Sequence, residues 1–241
     1  YSQSARIASL QKSALIDAYR PDDPATAQQV SFVMIGNPNR PNGGILQRFT
    51  GLYVPILDVS FDGATRTDSP VVDGRYLYPT ADIARQYDGW ADFPTYPLNL
   101  LADLNALAGI LFLHGDYFVG DKTNPVAGQQ YLYQGQRGDT NYYMIPTRRM
   151  PLLVPLALIG VPDFILAALD APLRVLTEWG YNRTLSPGDP NHARLIGWPW
   201  HPIRDVVHLV VSVFTGLDDA LSHVVGNPDF RPFRTTPGMD T

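Results

Sequence analysis

Ser2 stands in Tyr1-Ser2-Gln3-Ser4-Ala5, one residue ahead of a run with helical spacing. A serine between the end of a strand and the head of a helix is where a nucleophile elbow lifts its hydroxyl above a sheet. The next backbone N–H, that of Gln3, would then help hold an oxyanion, with the positive helix end behind it. The same Ser2, or Ser4, would equally serve as a plain helix cap. The usual pattern is G-x-S-x-G. Its first glycine falls before Tyr1, and Ser4 stands where the last would be.

A serine nucleophile needs a base, and the base needs an orienting acid. The five histidines are His114, His192, His201, His208 and His223. His114 follows a helical pattern and precedes a polar stretch, a loop position of the kind that carries catalytic groups. His192 and His201 lie in proline-rich segments, and His208 and His223 fall on a helical pattern as packed or surface residues. The acid is expected between serine and histidine in chain order, after a strand. Asp88 and Asp92 both qualify, in Gln86-Tyr87-Asp88-Gly89-Trp90-Ala91-Asp92-Phe93-Pro94. Asp-Gly is turn chemistry in its own right, whereas Asp92 is flanked by Trp90 and Phe93, whose bulk would keep a carboxylate aligned. Asp92 is therefore the expected acid and Asp88 the alternative. Asp58 and Asp62 sit in an extended pair and fit less well.

The elements that must position these groups read as follows. Ala5–Tyr19 is a helix with Ile7, Leu10, Ala14 and Leu15 on its apolar side, stopped by Pro21. Val30–Ile35 is a buried strand, Leu52–Leu57 and Val59–Phe61 an extended pair, Val71–Pro79 irregular, and Ala81–Tyr87 a second sheet strand. Leu98–Leu113 is a helix, with Leu100, Leu101, Leu104, Leu107, Ala108 and Leu111 on one side. Tyr117–Pro146 reads as a hairpin or flap bearing Tyr131, Tyr133, Tyr142 and Tyr143. Helical segments follow at Phe164–Leu169, Pro172–Trp179 and Ile203–Val225, and from Arg231 the composition suggests disorder. Helix, loop and buried strand after the serine is the order of an α/β sheet.

Composition narrows the function classes. The chain has 241 residues, 45% hydrophobic and 17% charged, with a net charge of −5, enough apolar material for one sizeable core. There is no basic run or stripe, so nucleic acid is not an expected partner. There is no cysteine, which excludes disulfides, thiolate zinc sites and cysteine nucleophiles. No histidine pair has ligand spacing and no glycine pattern cradles phosphate, so no metal or cofactor is expected. The apolar run Pro151–Leu169 contains Pro155, Pro162 and Asp163 and does not read as a membrane span. It and Val206–Phe214 are read as core, with an acyl groove or a lipid contact as the other reading.

Several strings resemble the PE-PPE domain family of mycobacterial and related envelope proteins. They are Gly36-Asn37-Pro38-Asn39-Arg40-Pro41-Asn42-Gly43-Gly44-Ile45, Tyr87–Pro94, Asn99–Ala106, Leu173–Leu176 and Gly180–Arg183. The resemblance covers residues 1–187 and leaves 188–241 as a helical extension and tail. It implies a cutinase-like α/β-hydrolase with its N-terminal strands outside this chain. It also implies a Ser-Asp-His triad, with Ser2 as nucleophile, Asp92 as acid and His114, in an H-x-x-Y string ending at Tyr117, as base. The implied activity is that of a serine esterase or lipase on acyl esters, with transfer to trehalose-type envelope glycolipids in some members. The implied setting is the cell envelope or the secreted fraction, with membrane-surface contact. A lipid-binding envelope protein without catalysis is the rival from another class.

Overall fold

The computed structural model describes residues 1–56, 58–118, 130–197 and 201–238. In chain order it contains helix α1 (Gln3–Ala18), strand β1 (Phe32–Ile35), helix α2 (Ile45–Arg48) and four short strands: β2 (Tyr53–Val54), β3 (Val59–Ser60), β4 (Val71–Val72) and β5 (Arg75–Tyr76). Strand β6 (Thr80–Arg85), helix α3 (Leu100–Phe112) and strands β7 (Leu132–Arg137) and β8 (Thr140–Ile145) follow. Helices α4 (Val154–Leu158), α5 (Asp163–Glu178) and α6 (Pro202–Val225) complete it.

The main sheet has the order β1-β6-β8-β7. Strands β1, β6 and β8 run parallel, with Phe32 beside Thr80 and Ile83 beside Tyr143, and β7 joins antiparallel. The result is a mixed α/β architecture. Along central β6, Thr80, Asp82 and Ala84 are buried in alternation, the period-two pattern of a strand between layers. Asp82 is affordable there because Arg40 pairs with it and Asn37 donates to it at 2.8 Å; a buried carboxylate left alone would be costly. The Asn-Pro-Asn-Arg string thus ties the loop after β1 to the middle of the sheet.

Both leading helices bury an unexpected face. In α1 the buried residues are Ala5, Ser9 and Lys12, while Ile7 and Leu10 are exposed. In α3 they are Ala102, Asn105, Ala106, Ala108 and Gly109, while Leu100, Leu104, Leu107 and Leu111 face outward. In α1 the buried Lys12 is drawn in by Asp139, Thr80 and Thr140; in α3 the cause is close approach. A Cβ on Gly109 would collide with the Tyr87 carbonyl, and one on Gly89 with that of Ala106. Leucines would hold α3 away from this loop.

Three further expectations change. Val71–Pro79 carries the β4–β5 hairpin rather than irregular chain. Phe164–Leu169 and Pro172–Trp179 are one helix, α5, with Pro172 inside it. Pro172 offers no N–H to the Ala168 carbonyl, and α6 crosses there at Gly216, where any side chain would strike that carbonyl. The segment after Arg231 is held: Asp218 accepts from the N–H groups of Phe233 and Thr235, and Arg231 pairs with Asp219 at 2.7 Å. The expected flap lies in part outside the described residues, as does Leu57. Its described part is the β7–β8 hairpin.

The largest core cluster joins Tyr87, Ala102, Leu113, Met150, Leu153, Leu166 and Tyr181. It fastens the loop after β6 to α3 and α5. Among the described residues no helix is long and apolar enough to cross a membrane. A cavity of about 610 Å³ lies between α5 and α6, lined by Val211, Ser212 and Thr215 among others; Ser2, Asp88 and His114 are not in its lining.

Candidate active site

Ser2 sits at the carboxyl end of β1, where its N–H donates to the Ile35 carbonyl at 2.9 Å. Its backbone is left-handed, with φ 55° and ψ −123°, and its side chain makes no capping hydrogen bond. The cap reading therefore does not hold. A non-glycine residue in that region carries about 1–3 kcal/mol of strain, typical of functional turns. Gln3 opens α1, so its N–H is one of the first-turn donors without an intrahelical acceptor. It lies directly beside Ser2, where an oxyanion would form.

His114 follows α3 after a single residue, Leu113. Its Nε2 lies 2.7 Å from Ser2 Oγ, and its Nδ1 lies 3.0 and 2.9 Å from the two carboxylate oxygens of Asp88. A carboxylate on Nδ1 selects the tautomer with Nδ1–H, which leaves the Nε2 lone pair toward the serine hydroxyl. The other four histidines, His192, His201, His208 and His223, are exposed, and among the described residues none of them hydrogen-bonds to Ser2, Asp88 or His114.

The acid expected from the sequence, Asp92, is not the partner of His114. Its carboxylate receives Arg183 through two hydrogen bonds of 2.6 and 3.0 Å and the Tyr87 N–H at 2.8 Å. Asp92 thus ties the loop to the chain after α5, and Asp88 takes the position beside the imidazole. The Asp88 side chain is fully buried. It accepts from the Trp90 N–H at 3.1 Å and from the Tyr117 hydroxyl at 2.8 Å, and that hydroxyl accepts from the Arg85 N–H at 2.7 Å. Burial, and then the charge of Asp88, push the Tyr117 hydroxyl well above the ordinary tyrosine range, so it remains a donor.

Tyr1 stacks on the imidazole with ring centres 5.0 Å apart, and its hydroxyl donates to the His114 carbonyl. Its ionisation is pushed up to about 12, first by burial and then by Asp88 and Asp116. Neither Tyr1 nor the bond of Tyr117 to Asp88 was deduced from the sequence. Only the spacing of Tyr117 from His114, three residues on, pointed to the latter. Gly36, with φ 61°, closes the floor: a Cβ there would lie 3.2 Å from His114 Cε1 and 3.3 Å from the Tyr117 ring. Among the described residues no three His, Asp or Glu side chains converge as a metal site. Chemically, the cluster can take a proton from Ser2 Oγ, hold it on a part-buried, oriented imidazole, and return it to a departing oxygen.

Comparison with known proteins agrees with the fold and the motif strings. The family model of the PE-PPE domain matches residues 1–182. Esterase PE16 of Mycobacterium tuberculosis is 38% identical over 239 residues, covering 98% of this chain and 43% of that protein. PE family protein PE3 of the same organism is 43% identical over 222 residues, covering 92% and 45%. Diacyltrehalose acyltransferase Chp2, also from Mycobacterium tuberculosis, is 28% identical over 134 residues, covering 55% and 35%. The chain thus spans less than half the length of these relatives. No solved structure matches. With a family match over most of its length and these relatives, the chain belongs to the PE-PPE domain family.

Proposed function

We propose that the chain is the catalytic portion of a cutinase-like serine hydrolase that cleaves acyl esters through Ser2, His114 and Asp88. One observation carries the reading: Ser2 Oγ, both imidazole nitrogens and the Asp88 carboxylate form an unbroken hydrogen-bonded chain of 2.7–3.0 Å. His114 takes the Ser2 proton as Oγ attacks the ester carbonyl. Asp88 steadies the imidazolium, and the Gln3 N–H receives the oxyanion. Collapse expels the alcohol, which takes the proton from Nε2, and leaves an acyl-serine. Water, or a second alcohol, then accepts the acyl group by the reverse steps.

The name and similarity of Esterase PE16 support hydrolysis, and Chp2 supports transfer to a trehalose-type glycolipid as a competing outcome. The corresponding location is the cell envelope or the secreted fraction, at a lipid surface. Fluorophosphonate labelling and hydrolysis of p-nitrophenyl esters test the reading. The full chain should be labelled at Ser2 and turn over the esters, whereas Ser2→Ala should lose both by several orders of magnitude with little change in thermal unfolding. An unlabelled, inactive chain that still binds acyl lipid would leave the non-catalytic envelope role. Acylated sugar formed from an acyl donor plus trehalose, measured against free acid, separates transferase from esterase.

A further inference from the structure

In this reaction the Nε2 of His114 serves two oxygens in turn. It takes the proton from Ser2 Oγ, and it gives that proton to the alkoxide oxygen when the C–O bond breaks and the acyl group stays on the serine. The alcohol oxygen must therefore come within hydrogen-bond reach of Nε2, and the rest of the alcohol must lie against whatever borders the imidazole. Among the described residues three rings border it: Tyr1, Tyr117 and Trp90.

Two of the three are committed elsewhere. Tyr117 is fully buried, edge-on to the imidazole, with its hydroxyl on Asp88. Tyr1 packs against Ile35 and Tyr117 and bonds the His114 carbonyl. Trp90 is different. Its backbone is fixed, with its N–H on Asp88 and its carbonyl accepting from the Ile45 N–H at 3.0 Å. Its indole is part-buried, as the Tyr1 ring is, but among the described residues its one ring contact is with the imidazole, centre to centre at 6.2 Å and tilted by 50°, and its ring N–H makes no hydrogen bond. The other aromatics near it in sequence, Phe93 and Tyr96, are buried. Those of the hairpin are engaged with one another, Tyr131 and Tyr133 both packing on Tyr143. The open ring beside the base is thus held by a rigid main chain, an economical way to build a platform because little ordering is left to be done on binding.

We infer that the Trp90 indole is the surface on which the alcohol half of the ester lies, and that it selects a ring-bearing alcohol, presented face-on, over a short open-chain one. An indole offers a broad, flat apolar face with a single N–H at its edge, which suits the C–H face of a pyranoside whose hydroxyls point outward. The inference deepens the serine-hydrolase reading and rests on it.

The test uses two esters that share one acyl chain, a methyl ester and a 6-O-acyl methyl glucopyranoside, hydrolysed by the full chain. The parent should favour the sugar ester in kcat/KM. That preference should fall about tenfold in Trp90→Ala, the worth of one good aromatic contact, and chiefly through KM. Trp90→Phe, which keeps a ring face, should recover much of it. Trp90→Leu fills space without a ring and should behave as Trp90→Ala, so it keeps the test open if the alanine variant does not fold. A parent without preference, or a preference that survives in Trp90→Leu, overturns the inference while leaving the triad intact. A parent that hydrolyses neither ester removes the triad reading itself, and this one with it.

Discussion

At the scale of the residue, Asp88 and Asp92 are four positions apart in one loop and do different work. Asp88 lies against an imidazole and a tyrosine hydroxyl; Asp92 lies against a guanidinium. The reading separates them experimentally. Asp88→Asn leaves the shape but lets the imidazole take the wrong tautomer, so kcat should fall by roughly ten-thousand-fold with a small change in unfolding. Asp92→Asn should instead weaken the fold, because the buried Asp92 side chain gives up the charge that holds Arg183, which keeps only Glu178 as a charged partner. Turnover per folded molecule should stay within about tenfold of the parent. Ester kinetics beside denaturant unfolding of each variant decide the matter, and the reverse pattern would return the acid's role to Asp92. The sequence contained both candidates. It did not reveal that Arg183, ninety-one positions further on, claims one of them.

At the scale of the element, the site depends on how closely α3 can approach the loop after β6. His114 is delivered by the end of α3, and Asp88 by the loop. Gly109 and Gly89 let the two backbones touch, since a Cβ on either would meet a carbonyl oxygen. Gly109→Val should therefore displace α3 and with it the His114 imidazole. The expected result is a loss of ester turnover of at least a hundredfold, together with a lower melting temperature, since overpacking costs typically 1–3 kcal/mol. Leu107→Val on the exposed face of the same helix is the control and should change neither measurement appreciably. Equal effects of the two would mean that the close approach is not what positions the base. The helical period of the leucines was legible in the sequence; that the small residues face inward was not. Periodicity finds a stripe, and only the neighbour decides which stripe is covered.

At the scale of the whole molecule, one carboxyl group couples stability to pH. Asp103, in the first turn of α3, has a carboxylate oxygen buried without a hydrogen-bond partner among the described residues. Burial raises its ionisation from an ordinary 3.8 to about 6. Between those values the folded chain keeps a proton that the unfolded chain has released. The contribution to stability is therefore complete below about pH 3.8 and is lost as pH rises through about 6. Asp103→Asn, neutral throughout, should show a flatter pH dependence of the denaturation midpoint over this window and a higher midpoint than the parent at pH 7. A variant whose midpoint follows the parent's across the window would assign the buried oxygen no such role.

What the sequence determined by itself is local or carried by strings. The extents of α1, β1, β6, α3 and α6 follow from periods, prolines and turn residues within a few positions. The family follows from motifs such as Asn-Pro-Asn-Arg and Tyr-Asp-Gly-Trp-Ala-Asp-Phe-Pro, whose arginine, aspartates and glycines meet specific buried partners. That Ser2 and His114 were candidates for one site was legible because one heads a helix and the other ends one, and the fold brings them within 2.7 Å. Tertiary structure alone decided which aspartate faces the His114 imidazole, which side of α1 and α3 is buried, and that Pro172 lies within a continuous helix. It also decided that the segment after Arg231 is pinned to α6. Each depends on a group far along the chain: Arg183 for Asp92, the Tyr87 carbonyl for Gly109, Gly216 for the carbonyl that Pro172 leaves free, and Asp218 for Phe233 and Thr235. Spacing along a chain encodes which faces and turns are available. The pairing of a buried charge or an unpartnered backbone group is settled only when the distant partner arrives in space.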